Sequence, residues 1–193
     1  MNEPGWIIEI VGGPVMPSNP SVQLRVSATF NSQTDFAFFG ARWDMLADDG
    51  LWSEPLNVFP GTHAFIRSLG TIQGSEVLAI ELEQRNYWFG ALANFANPIV
   101  TWEATWSTSV FTPRIIDVMT QTTTFGVYPD RQSPGIRFFP SVLEGSAFIH
   151  VIPAPPAAVL LALGALIAPR RPRAIPTRRR SAARMANASN RVA

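Results

Sequence analysis

Along residues 22–30, Val22, Leu24, Val26, Ala28 and Phe30 alternate with Gln23, Arg25, Ser27 and Thr29. A period of two over that length predicts a strand with one buried face. Ala37, Phe39, Ala41, Trp43 and Met45 then alternate with Phe38, Gly40, Arg42 and Asp44, which predicts a second long strand. The two are separated by the short loop Asn31–Asp35, so they are expected to pair as a hairpin. Val100, Trp102, Ala104 and Trp106 repeat the pattern against Thr101, Glu103, Thr105 and Ser107. Shorter β patterns are read at 6–11, within 51–59, at 71–72 with 77–83 as a hairpin, and at 115–119, 122–128, 136–139 and 145–152. Gly12-Gly13-Pro14, Pro17–Pro20, Asp48-Asp49-Gly50 and Pro129–Gly135 supply turn chemistry between them. No amphipathic helical pattern of ten residues occurs before residue 156. Repeated short strands predict an all-β fold, an antiparallel β-sandwich of jelly-roll or cohesin-like arrangement. It is expected over residues 1–152.

The pattern changes at the C-terminus. From Ala157 to Ala168 every residue is Ala, Val, Leu, Ile or Gly, among them Val159, Leu160, Leu161, Leu163, Leu166 and Ile167. As a hydrophobic helix these residues cover about 18 Å, short of a hydrocarbon core of about 30 Å. Extending back to Phe148 adds Pro153, Pro155 and Pro156, which suit a helix interior poorly. The segment suits a temporary membrane span better than a permanent one. A buried helix of the globular domain is the alternative, but an apolar stretch with no polar face needs lipid or a large core. Arg170, Arg171 and Arg173 follow at once, then Arg178, Arg179 and Arg180. Such a cluster holds its end in the cytoplasm, which would place the β domain outside it. A nucleic-acid patch is the other reading of a basic run, but this one lacks interleaved aromatics; no nucleic-acid partner is expected.

Pro153-Ala154-Pro155, the apolar run and the arginines together resemble the PEP-CTERM class of bacterial C-terminal sorting signals. The resemblance covers about residues 151–180. It implies export, transient membrane retention and cutting near the motif by an exosortase-type enzyme, often among exopolysaccharide-associated surface proteins. Two departures bear on processing more than on targeting: Ala154 stands where Glu is usual, and the chain continues well past Arg173. The expected organisation is therefore a domain at 1–152, a sorting signal at 153–173 and a disordered basic tail at 174–193.

Charge supports two environments. All 14 acidic residues lie at or before Glu144 beside seven arginines, and eight arginines with no acid lie from Arg170 onward. Lysine is absent. With no cysteine, disulfides, thiol catalysis and cysteine-ligated metals are excluded. The opening Met1–Glu9 shows no basic n-region or apolar h-region. The expectation is a leader upstream of Met1; were Met1 the start, a cytoplasmic tail-anchored protein would follow instead.

Candidate chemistry is sparse. His63 and His150 stand far apart without neighbouring partners, no nucleophile-elbow pattern is present, and no histidine pair has zinc spacing. Asp44, Asp48 and Asp49 beside Gly50 are the candidate for calcium, although the calcium-loop pattern is absent; a solvated turn is the plain alternative. Otherwise no cofactor is expected. Glu81 and Glu83 share one strand face, which a glycoside hydrolase could use and a solvated sheet face would equally show. Of the six tryptophans, Trp43, Trp102 and Trp106 fall on apolar faces and are assigned to the core. Tyr87, Trp88 and Phe89 form the candidate aromatic platform for a polysaccharide, against a loop that caps the sandwich.

These features predict an exported, non-catalytic surface or matrix protein of the cell envelope, with the membrane and a processing enzyme as partners. A carbohydrate-binding surface module is the alternative; a glycoside hydrolase is the third reading.

Overall fold

The inward rows of the chain meet as two facing sheets. The structure, a computed structural model, describes residues 3–53, 64–84, 96–130 and 135–154, with backbone alone for 64–67. Its strands are β1 (Gly5–Val11), β2 (Ser21–Thr29), β3 (Ala37–Ala47), β4 (Leu51–Trp52), β5 (Ala64–Gln73), β6 (Glu76–Gln84), β7 (Ile99–Ser107), β8 (Arg114–Tyr128), β9 (Arg137–Phe138) and β10 (Ser146–Val151). One sheet has the order β1-β2-β7-β4 and the other β10-β8-β3-β6-β5, with β9 added against β8. Every ladder between them is antiparallel. The all-β antiparallel sandwich expected from the sequence is what forms.

The expected hairpin of β2 with β3 does not. β2 lies between β1 and β7 in the four-stranded sheet, and β3 lies between β8 and β6 in the six-stranded one. The inner row of β2 (Val22, Leu24, Val26, Ala28) and that of β3 (Ala41, Trp43, Met45) both belong to the one core. Alternation reports that a strand has a buried face; it does not say whether two such faces lie side by side or opposed. The connection turns at Asn31, whose carbonyl accepts from the amides of Thr34 (3.0 Å) and Asp35 (2.8 Å). Its Oδ1 accepts from Gln33 N at 3.0 Å.

Other differences have local causes. The runs 115–119 and 122–128 are one strand of 15 residues. Thr120 interrupts the apolar row yet is buried, because its hydroxyl donates to Glu144 at 2.6 Å. β5 begins at Ala64 rather than at residue 71. In β3 a register shift between Phe38 and Gly40 reverses the assigned faces at the strand's start. Phe38 is fully buried in the main core, and Phe39 packs instead beside Ala37 and Tyr128.

Four indoles join the two layers. Trp6, on β1, donates to Thr122 Oγ1 of β8 at 2.7 Å. Trp52, on β4, donates to the carbonyl of Ser75 in the β5–β6 turn at 2.8 Å, and Trp102, on β7, to that of Leu69 on β5 at 3.3 Å. Trp106 donates to Asp49 O, just beyond β3, at 2.8 Å. The Trp6 ring lies 4.6 Å from that of Trp43 and meets Phe125 edge-on at 5.3 Å. Trp43, Trp102 and Trp106 are fully buried, as their apolar rows predicted. The sandwich is also closed along one side by two parallel bridges, Gly5 with Leu143 and Val15 with Val151.

The chain's first compact unit ends at Ala154, and the second, Pro155–Ala193, lies outside the described residues. Pro155, the apolar run and the arginines, from which a sorting signal was expected, fall there. Pro153 and Ala154 are exposed and follow β10 without regular structure. No helix among the described residues is long and apolar enough to cross a membrane.

The indole contacts yield a direct comparison. Trp6 Nε1 has an acceptor, whereas the buried Trp43 Nε1 finds none among the described residues. Replacing either by Phe removes similar volume, but only Trp6→Phe also breaks a hydrogen bond. Urea unfolding should therefore show Trp6→Phe costing about 1 kcal/mol more than Trp43→Phe. Equal losses would show that the Thr122 contact contributes nothing.

Candidate functional site: a glycine-floored trough on the six-stranded sheet

On the outer face of the six-stranded sheet, one cross-strand row reads Phe138 on β9, Gly126 on β8, Gly40 on β3 and Glu83 on β6. Two adjacent strands thus place no side chain there, leaving a floor of bare backbone. Close approach requires both glycines. A Cβ on Gly126 would stand 2.9 Å from Phe39 Cδ1 and 3.1 Å from Phe138 Cε1. One on Gly40 would collide with the Leu82 carbonyl and would lie 2.9 Å from Glu83 Cα. The neighbouring row brings Thr124, Arg42 and Glu81 alongside. The resulting trough, of about 110 Å³, is lined by Phe39, Gly40, Glu81, Glu83, Thr124 and Phe138, with backbone of Ala41 and Leu82 between.

One wall is aromatic. Phe138 is 58% exposed and stands perpendicular to Phe39, with ring centres 6.0 Å apart. Phe39 in turn meets the ring of Tyr128 edge-on at 5.4 Å. The bulge at Phe39 is what turns this ring out of the main core and under Phe138. The two-residue strand β9 is held by Arg137, which pairs with the buried carboxylate of Asp35. The same guanidinium lies 5.2 Å from the centre of the Phe139 ring. Phe138 therefore sits on a short but tethered strand.

The opposite wall is acidic. Glu81 and Glu83 alternate on β6 and are half-buried, about 6.6 Å apart along the strand. Each takes part in contacts within the chain. Behind them Tyr128 donates its hydroxyl to Gln84 O at 3.0 Å, and Gln84 Nε2 donates to Phe38 O at 2.7 Å. Burial, with a smaller contribution from the charge of Glu83, pushes the Tyr128 phenol up to about 12.

The structure unites Glu81 and Glu83, as their spacing predicted, and adds Phe138, Phe39 and Thr124, which sequence reading missed. Only the pairing of Gly126 with Gly40 and Phe138 could have signalled them, and register is not visible in a sequence. The three aspartates do not converge on a calcium site. Asp44 Oδ1 accepts from Ala79 N at 2.7 Å, stabilising a residue with φ of 58°. Asp48 Oδ2 accepts from Asp117 N at 3.3 Å, and Asp49 pairs with Arg114 at 2.9 Å. Among the described residues no three His, Asp or Glu side chains stand at metal-holding distances. His150 is exposed on β10. His63, Tyr87, Trp88 and Phe89 lie outside the described residues.

No protein-family model and no curated protein sequence matches the chain. Solved structures do. The seventh ScaB type I cohesin from Pseudobacteroides cellulosolvens is similar at a TM-score of 0.55 and 11% identity, over 81% of this chain and 96% of that one. The sixth cohesin of scaffoldin B from Acetivibrio cellulolyticus, in complex with a Cel5 dockerin mutant, is similar at a TM-score of 0.48 and 14% identity, over 75% of this chain and 97% of that one. The first likeness bears out the cohesin-like arrangement expected from the strand pattern, and at such identity it speaks for the fold alone.

The raised Tyr128 value can be read directly. Because the neutral phenol is favoured in the folded state, its contribution to stability is complete below the ordinary tyrosine value of about 10. It is lost as pH rises toward about 12. An alkaline titration followed by phenolate absorbance should show one late-ionising tyrosine, absent from Tyr128→Phe. A late step that survives the substitution would assign it to Tyr87, the other tyrosine.

Proposed function

We propose that the chain is a non-catalytic surface module whose β domain binds carbohydrate in the trough. The trough itself carries this reading: an exposed ring, a bare backbone floor and hydrogen-bonding side chains on the far wall. A sugar has an apolar ring face that packs on an aromatic and a hydroxylated edge that needs polar partners, and this arrangement offers both. This reading gives the aromatic role to Phe138; Tyr87, Trp88 and Phe89, the platform expected from the sequence, lie outside the described residues. Delivery is the part assigned to the C-terminal signal. Pro153-Ala154-Pro155, the apolar run and Arg170–Arg173 support a PEP-CTERM-like route that places the domain beyond the cytoplasmic membrane, where polysaccharide is met.

A binding role is preferred to hydrolysis because Glu81 and Glu83 lie on one strand and one wall. Glycosidase carboxylates flank the scissile bond; here a sugar on Phe138 would meet both from the same side. A second reading, a protein-docking face, is favoured by the exposed Ile115, Met119 and Phe148 farther along the same sheet.

Affinity electrophoresis of the full chain through gels holding different polysaccharides tests the proposal. At least one glycan should retard the protein, and Phe138→Ala should weaken retention about tenfold, the equivalent of about 1.4 kcal/mol, with the melting temperature unchanged. No glycan product should appear on prolonged incubation. Retention that survives Phe138→Ala but is lost in Phe148→Asp would move the binding surface to β8 and β10.

Delivery is checked by fractionating the native cells and sequencing the termini of the recovered protein. A mature form ending near Pro153–Pro156 is the expected outcome. An intact arginine tail on a domain shielded from external protease would overturn the sorting assignment.

A further inference from the structure

Resting on the carbohydrate reading, we infer that the trough is one end of a longer site, and that its ligand is an extended polysaccharide chain lying along β8. Phe138 carries one sugar of that chain, and Phe148 carries another several units away.

The inference comes from where the ladders put the two rings. Among the described residues Phe138 and Phe148 are the most exposed aromatics, at 58% and 56%. Their strands flank one edge of β8: β9 sets Phe138 opposite Gly126, and β10 sets Phe148 opposite Asp117. The other edge of β8 is taken by β3, from Val118 to Tyr128. Gly126 and Asp117 are nine residues apart, about 30 Å along a strand. An odd separation in a regular strand points side chains to opposite faces. Here β8 carries an extra residue, Thr123, between the pairs Thr124 with Arg42 and Thr122 with Trp43. Thr122 faces inward, where its hydroxyl accepts from Trp6 Nε1 at 2.7 Å. The bulge reverses the alternation once, so Met119 and Gln121 before it share the outer face with Thr124 and Gly126 after it. Both phenyl rings therefore lie on one face of one sheet.

The surface between the rings is polar and unengaged. Thr124, Arg42 and Gln121 lie there, all exposed. Their side chains make no hydrogen bond or ion pair among the described residues. Arg25, Arg114 and Arg137, by contrast, are each paired with a carboxylate. A hydroxyl, an amide and a guanidinium together offer both donors and acceptors, as the hydroxyls of successive sugars require. A polar middle between two apolar ends suits a ligand that presents ring faces and hydroxyl edges in turn better than one continuous apolar contact. β10 is paired with β8 over its whole length, and β9 is tethered by Arg137, so neither ring has to be ordered on binding. A chain that reaches both rings gains the second contact without a second loss of free motion. A short sugar reaches one ring only.

The experiment is calorimetric titration of the full chain with a linear glucan, a linear mannan and a linear xylan, each as its disaccharide and as an oligomer reaching about 30 Å. At least one series should bind, its long oligomer about tenfold more tightly than its disaccharide. Phe148→Ala should remove that gain and leave the disaccharide unchanged, whereas Phe138→Ala should weaken both lengths; unchanged melting temperatures guard against misfolding. Equal affinity for the two lengths, or a long oligomer indifferent to Phe148→Ala, would overturn the extended site. The trough would then stand alone, and the face around Phe148 would be left to a protein partner. A long oligomer that needs Phe148 but not Phe138 would also overturn it and would move the sugar site to β10. Binding of no series at either length would remove the underlying carbohydrate reading.

Discussion

Four indole N–H groups, on Trp6, Trp52, Trp102 and Trp106, reach from the four-stranded sheet to acceptors on the six-stranded sheet or its connections. Sheets in a sandwich are otherwise held by apolar contact, which is strong but does not by itself select one alignment. A buried indole adds direction, because its N–H is costly to leave unpaired. Each bond is satisfied only when its acceptor on the other layer lies opposite. With no cysteine to staple the layers, this set of directional contacts, with Trp6 also packed on Trp43 and Phe125, defines how the sheets are superposed.

With that alignment in place, the outer face of the six-stranded sheet becomes a stable surface whose details depend on β3. β3 pairs on both sides, and the residues it leaves out of register are Phe39 toward β8 and Asp44 toward β6, while between Arg42 and Trp43 the extra residue is Thr123 of β8. The first tips Phe39 outward and brings Gly40 beside Gly126; the second is braced by Asp44 on Ala79 N. Bulges re-aim side chains without ending a strand. Here one of them converts two small residues and an exposed Phe into a trough.

The two sheets differ in how they meet water. Across the four-stranded sheet, Glu9, Arg25 and Glu103 form a cross-strand row, with Arg25 2.6 Å from Glu103 and 3.4 Å from Glu9. Gln23 adds a further bond to Glu103 at 3.0 Å. That face answers its own charges. The six-stranded sheet exposes Phe138 at one end and Ile115, Met119 and Phe148 toward the other, against Ile7 and Leu51 on the four-stranded sheet, so it is the one with more apolar surface to offer a ligand.

Strand existence, the inward row of β2 and that of β7 from Trp102 onward were legible in the sequence, because a period of two with Val, Leu and Trp on one face has one physical meaning. The closely spaced Glu81 and Glu83 were legible for the same reason. At the start of β7 a bulge at Thr101 puts Ile99 in the core in place of the expected Val100. The partnership of β2 with β7 rather than β3 was not, since alternation is blind to which sheet a strand joins. Nor was the outward turn of Phe39, which one extra residue in a ladder reverses. The aspartates at 44, 48 and 49 looked like one group because they are near in sequence, yet hydrogen bonds send them to three different partners. Phe138, Thr124 and the facing glycines became a site only through register across β9, β8, β3 and β6. Local pattern determines what each strand can bury, and long-range pairing alone decides which side chains become neighbours.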